Sequence, residues 1–141
     1  MTTPIESFVS DYADALGSFD AERTAAMWGM PASILTDSFS GSLNSRPALV
    51  AALSQAQPYY RSFGLEKVRY VVLESTDLTE RITRVRVRWL FHGADDEFLT
   101  DSDYEYVIRR DDDGLHAYIG ISINEEQKLA ELARRRDAGS G

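Results

Sequence analysis

The hydrophobic period of this chain changes at Leu65, and that change most constrains its fold. Before it, apolar residues recur at three- and four-residue spacing; after it, they alternate. Ile5, Phe8, Val9, Tyr12, Ala13 and Leu16 share one face of a first helix, which Gly17 is suited to end in the left-handed conformation. Asp20 is placed to cap a second, shorter helix through Met27 and Trp28, and Glu22 suits its positive end. Gly29 and Pro31 should break it. Ala32 to Thr36 reads as a short strand, with Phe39 to Leu43 as its hairpin partner. Ser45 is placed to cap a third helix with Pro47 in its first turn. Leu49, Leu53, Ala56, Tyr60 and Phe63 form its buried stripe, Pro58 should kink or end it, and Gly64 closes the segment.

Beyond Leu65 there are four alternating runs. Val68, Tyr70 and Val72 form the first, and Val85, Val87, Trp89 and Phe91 the second, with Arg84, Arg86 and Arg88 on its opposite face. Tyr104, Tyr106 and Ile108 form the third, opposed by Asp103 and Glu105. Leu115, Ala117, Ile119, Ile121 and Ile123 form the fourth. Turn segments such as Asp111-Asp112-Asp113-Gly114 separate the runs, so the pattern predicts long strands of a mostly antiparallel sheet, wet on one face. Asn124 then caps a final helix, with Gln127 completing a capping box. Glu125 and Glu126 suit its N-terminus and Arg134 to Arg136 its C-terminus. Ala138 to Gly141 reads as a loose tail.

With 141 residues the chain has the size of one domain, spanning 1–141 with a core of about 5–123 and a C-terminal helix of about 124–137. Its net charge of −8 argues against binding nucleic acid or an anionic membrane. The lack of cysteine removes disulfides, thiolate metal sites and a thiol nucleophile, and two histidines (His92 and His116) are too few for a His-rich centre. No metal and no cofactor is expected. The N-terminal residues lack the basic and apolar regions of a signal peptide, so a cytoplasmic location is expected.

Helix, short helix, strand pair, helix and four long strands, together with the segment Tyr12-Ala13-Asp14-Ala15-Leu16-Gly17-Ser18-Phe19-Asp20, resemble the nuclear transport factor 2-like superfamily, also called SnoaL-like. The resemblance implies an α+β fold, in which a curved antiparallel sheet wraps around N-terminal helices to form a cone, a cystatin-like α+β barrel, with an extra C-terminal helix here. It also implies a homodimer paired through the outer sheet face, which here carries the arginines, the acids, His116 and Tyr118.

Within that superfamily the nearest chemistry is that of ketosteroid isomerase, in which an aspartate base, a tyrosine and an un-ionised aspartic acid act on a carbonyl compound. Aligned by element, Tyr12 takes the tyrosine position as oxyanion donor and Asp37 takes the general-base position. Asp103 falls near the third, but its parity matches Glu105 and opposes Tyr104 and Tyr106. It is therefore read as a partner of the arginine strand on the outer face. Asp37 lies among Thr36, Ser38 and Ser40, where an aspartate also commonly caps a turn.

Tyr12, Trp28, Tyr60, Trp89, Tyr104 and Tyr106 are the candidate lining of the cone, with Asp37 at or near its mouth. Aromatic side chains with polar tips suit a flat ligand with one or two oxygens. Two functions follow. The first is a pocket protein binding a small apolar or aromatic ligand. The second is an isomerase, cyclase, dehydratase or hydrolase using Asp37 and Tyr12.

Overall fold

Side-chain caps start the first three helices. Thr3 Oγ1 accepts from the Glu6 amide at 3.1 Å and opens α1 (Pro4–Gly17). Asp20 Oδ1 accepts from the Arg23 amide at 3.0 Å and opens α2 (Ala21–Ala26). Ser45 Oγ accepts from the Ala48 amide at 3.3 Å and opens α3 (Arg46–Ser62). A computed structural model describes residues 3–139. Its strands are β1 (Trp28–Leu35), β2 (Ser40–Leu43), β3 (Lys67–Asp77), β4 (Ile82–His92), β5 (Phe98–Asp111) and β6 (Gly114–Ser122). α4 (Glu125–Gly139) follows β6. Ala138 thus belongs to a helix, whereas Ser140 and Gly141 lie outside the described residues.

The fold is α+β, with a curved six-stranded sheet in the order β2-β1-β6-β5-β4-β3. All neighbours are antiparallel except β1 and β6, which run parallel. Val85, Val87, Trp89 and Phe91 of β4 are buried while Arg84, Arg86 and Arg88 face outward, as the alternation predicts. On α1, Phe8, Val9, Tyr12, Ala13 and Ala15 are buried against the same face.

Several local expectations change. Gly17 does not reverse the chain. A Cβ there would meet the Val68 amide nitrogen at 3.0 Å, so glycine permits close approach of α1 to β3, while Phe19 (φ 57°) takes the left-handed turn. The second helix stops at Ala26, and Trp28 opens a strand instead of ending a helix. Pro31 lies inside β1, within the register shift between Trp28 and Ser33, where a residue without an amide proton is tolerated. Pro58 does not end α3, because its fixed φ is helical and only one intrahelical donor is lost. Ile119 and Ile121 pair with Val107 and Glu105 on the outer face, because a bulge between Val107 and Ile108 reverses the parity of β6. Gly120 and Ser122 therefore turn inward with Ala117. Asn124 does not cap α4 with its side chain. Its Oδ1 accepts from the Asp103 amide at 2.8 Å, and Ser122 Oγ accepts from the Glu125 amide at 3.3 Å. No helix among the described residues is long and apolar enough to cross a membrane.

Candidate functional site

Between the three N-terminal helices and the concave face of the sheet lies a cavity of about 580 Å³. The inward parity of β4 and β5 brings Trp89, Tyr104 and Tyr106 to it, α1 brings Tyr12, the start of β1 brings Trp28, and α3 brings Tyr60. The structure thus places all six aromatic candidates on one wall system. The indole of Trp28 donates to the Tyr12 hydroxyl at 3.0 Å, and that of Trp89 donates to the Tyr106 hydroxyl at 3.1 Å. Tyr12 stacks on Trp89 with centroids 5.5 Å apart, and Tyr104 stacks on Tyr106 at 5.6 Å. Both indole donors are thus used within the cluster, and each of these two phenol oxygens accepts one of them. Burial pushes the Tyr12 phenol up to about 12, against the opposing hydrogen bond from Trp28.

The stripe on α3 takes a different role from the one expected. Leu49 is buried, but Leu53 is half-buried and Ala56 exposed, and all three line the cavity. Their apolar face is turned towards open space rather than towards a filled core. An apolar stripe has the same spacing in both cases, so periodicity does not separate them.

Glu125, the first residue of α4, also lines the cavity and is only 8% exposed. The Tyr60 hydroxyl donates to its Oε1, and Ser102 Oγ donates to Oε2 at 3.4 Å. The Tyr104 phenol acts on the same carboxyl. Burial raises the carboxyl above the ordinary glutamate range, and the Tyr104, Tyr60 and Ser102 hydroxyls offset part of that shift. Tyr60 and Tyr104 are pushed well up, first by burial and then by the charge of Glu125.

Sequence reasoning assigned Glu125 only to the helix dipole. The available signal was on β5, where Thr100 and Ser102 continue the inward parity of Tyr104 and Tyr106 and are buried. An inward polar run needs a polar partner. Here the partner comes from 23 residues further along the chain.

Asp37 lies elsewhere. It is exposed on the bend between β1 and β2 and is not among the cavity's lining residues. The bend is held by Thr36, whose Oγ1 accepts from the Ser38 amide at 3.2 Å, while Ser38 Oγ donates to Glu126 at 2.8 Å and ties the hairpin to α4. Asp103 faces outward, where Arg88 donates two hydrogen bonds to it at 2.8 and 3.0 Å. That pairing holds the Asp103 carboxyl below its ordinary range, so it is ionised. Arg86 pairs with Glu105 at 3.4 Å on the same face.

The model of a family described as "NTF2-like protein (DUF6841)" matches residues 3–124. The chain belongs to the NTF2-like family. A search of curated protein sequences finds no match. Solved structures share the fold. A domain of unknown function with a cystatin-like fold from Nostoc punctiforme is 19% identical with a TM-score of 0.69, covering 97% of this chain and 84% of its own. An NTF-2-like protein of unknown function from Shewanella oneidensis is 14% identical with a TM-score of 0.65, covering 85% and 96%. A ketosteroid isomerase-like protein from Erwinia carotovora is 11% identical with a TM-score of 0.64, covering 85% and 92%. At these identities the likeness is one of fold.

Proposed function

We propose that this NTF2-like protein binds a small, largely apolar ligand in the cone, with the ligand's polar group held at Glu125, Tyr60 and Tyr104. The observation that carries this reading is a cavity of about 580 Å³ walled by aromatic and aliphatic side chains around one buried carboxyl. Ligand sites commonly combine an apolar lining with a few converging polar groups. Nile red, a neutral dye whose emission rises in apolar surroundings, is the direct probe. Bound dye should brighten and shift to the blue. Ala56→Trp, which fills the cavity from its α3 wall, should weaken binding about tenfold or more, a loss of about 1.4 kcal/mol. Unchanged dye affinity in Ala56→Trp would sink the proposal.

Glu125 also supports a second reading, an enzyme of the ketosteroid-isomerase type. A buried carboxyl raised by its surroundings, beside two phenols, can take a proton next to a carbonyl while a phenol stabilises the enolate. In this reading Glu125 takes the base role for which the sequence suggested Asp37, because the exposed bend gives Asp37 no access to the cavity. Conversion of a β,γ-unsaturated ketone to its conjugated isomer, followed by absorbance, tests it. Turnover should fall at least about a hundredfold in Glu125→Gln and be kept in Asp37→Asn.

We also propose that two copies pair through the outer sheet face. Val71 of β3, paired with the outward Arg88, is exposed there, Leu73 is exposed at the register shift beside it, and the bulge in β6 adds Ile119 and Ile121 to that face. These apolar residues accompany the charged rows and give the face something to bury.

A further inference from the structure

We infer that the occupant of the cone is an organic ammonium ion, a hydrophobic amine whose charged nitrogen sits against the Glu125 carboxylate. This rests on the cavity-binding reading and specifies its ligand class.

The first argument is the charge balance of the lining. Among the described residues Asp20 and Glu125 line the cavity, and no lysine, arginine or histidine does. Asp20 is already engaged as the cap of α2 through the Arg23 amide. Glu125 is therefore the charged group available to a ligand deep in the site. Its hydrogen-bond donors are the hydroxyls of Tyr60 and Ser102, with the Tyr104 phenol also acting on it. Those donors orient a carboxylate but bring no positive charge. A buried carboxylate without a counter-ion is costly, and the protein lining supplies none.

The second argument is the wall. Trp28, Trp89, Tyr104 and Tyr106 surround the same space, and aromatic faces attract cations through their quadrupoles. The indoles of Trp28 and Trp89 spend their donors on the Tyr12 and Tyr106 hydroxyl oxygens, which fixes these rings along the cavity wall. An anionic ligand would meet a like charge and no compensating cation. A ketone or alcohol could share a phenol, but it would leave the carboxylate uncompensated. An ammonium ion supplies the missing counter-ion and finds ring faces for its apolar body. The desolvation of Glu125 has already occurred on folding, so the site is preorganised for the cation.

Isothermal titration at pH 7 with a matched set decides the matter: naphthylmethylamine, naphthylmethanol and naphthalenecarboxylate, which share a ring and differ in charge. The amine should bind at least about tenfold more tightly than the alcohol, and the carboxylate more weakly than either. Glu125→Gln should bring the amine to the level of the alcohol and leave the alcohol nearly unchanged, whereas Asp20→Asn should keep the preference for the amine. Equal binding of amine and alcohol by the native protein overturns the inference and leaves cavity binding standing. So does an amine preference that survives Glu125→Gln, or one that Asp20→Asn abolishes. Failure of both the amine and the alcohol to bind, together with failure of Nile red, overturns the inference and the cavity-binding reading alike.

Discussion

The hydroxyl of Tyr60 donates to Oε1 of Glu125 across 65 positions of sequence, joining the end of α3 to the start of α4. The pair links the cavity's helical wall to the element that follows the last strand. It also gives a half-buried phenol and a buried carboxyl a mutual partner, so each lowers the cost of the other's burial.

Tyr60→Phe should therefore destabilise the protein by about 1–2 kcal/mol, because an acceptor oxygen loses a donor while Ser102 keeps the carboxyl partly satisfied. Chemical denaturation of the single variants and of Tyr60→Phe with Glu125→Gln checks this. The double variant should cost less than the sum of the two single changes, and strict additivity would count against coupling.

Glu125 makes stability depend on pH. Its carboxyl is raised in the folded state, so the native protein holds that proton more tightly than the unfolded chain does. The sign is a penalty above the folded pKa that fades as pH falls towards the unfolded reference of about 4.3. Glu125→Gln should accordingly gain stability relative to the native chain at pH 8, and the gain should vanish near pH 4. Melting curves at the two pH values measure the difference. A variant penalised equally at both would show that its hydrogen bonds, and not its charge, dominate.

Asp111 has the opposite sign. Tyr118 donates to its Oδ2 at 2.6 Å, Arg109 to its Oδ1 at 2.6 Å, and His116 lies 2.9 Å away, which together lower the carboxyl to about 2. A depressed carboxyl stabilises above the unfolded value of about 3.9 and loses that contribution as pH falls towards the folded value. Asp111→Asn should be less stable than the native chain at pH 7, with the gap narrowing between about pH 4 and pH 2. A gap that stays constant over this window would show that the ion pairs at Asp111 contribute nothing.

How far the sequence carried these arguments differs by element. The inward row Val85, Val87 and Trp89 and the outward row Arg84, Arg86 and Arg88 were legible, because an unbroken strand keeps its parity. β6 was not. Its aliphatic residues alternate without interruption through Ile123, and the bulge that sends Ile119 and Ile121 outward depends on β5, which the run itself does not encode. Tyr12, Tyr60, Trp89, Tyr104 and Tyr106 line the cavity because parity and helix face determine direction, whereas Trp28, expected at the end of a helix, reaches it from the start of β1. Asp37 was suggested by order of elements, and order does not say which way a bend's side chain points. Glu125 was hidden because an acid in a first helical turn satisfies the dipole whether it is wet or buried.

Gly120 tests the inward turn that the bulge imposes. A Cβ at this position would lie 2.8 Å from Cη2 of Trp28, and 3.4 Å from Cε1 of Tyr106. Gly120→Ala should displace the indole and weaken its hydrogen bond to Tyr12, at a cost of about 1–3 kcal/mol for overpacking. Tryptophan emission should shift with it, while Gly114→Ala, where the left-handed φ of 127° and not space is the constraint, should destabilise without moving the spectrum.

The dimer is tested on the outer face. Leu73→Lys adds a charge where an exposed leucine of β3 stands, with the cavity on the opposite side of the sheet. The native protein should run as a dimer in light scattering at micromolar concentration, and Leu73→Lys should shift it towards monomer without altering Nile red binding per chain. The expectation follows from geometry: desolvating an unpaired lysine at an interface is costly, whereas on a solvated face it is nearly neutral. A native monomer would show that the ion pairs Arg88–Asp103 and Arg86–Glu105 keep the face in water. Loss of dye binding in Leu73→Lys would show instead that pairing shapes the cone, since Leu73 is not among the residues that line it.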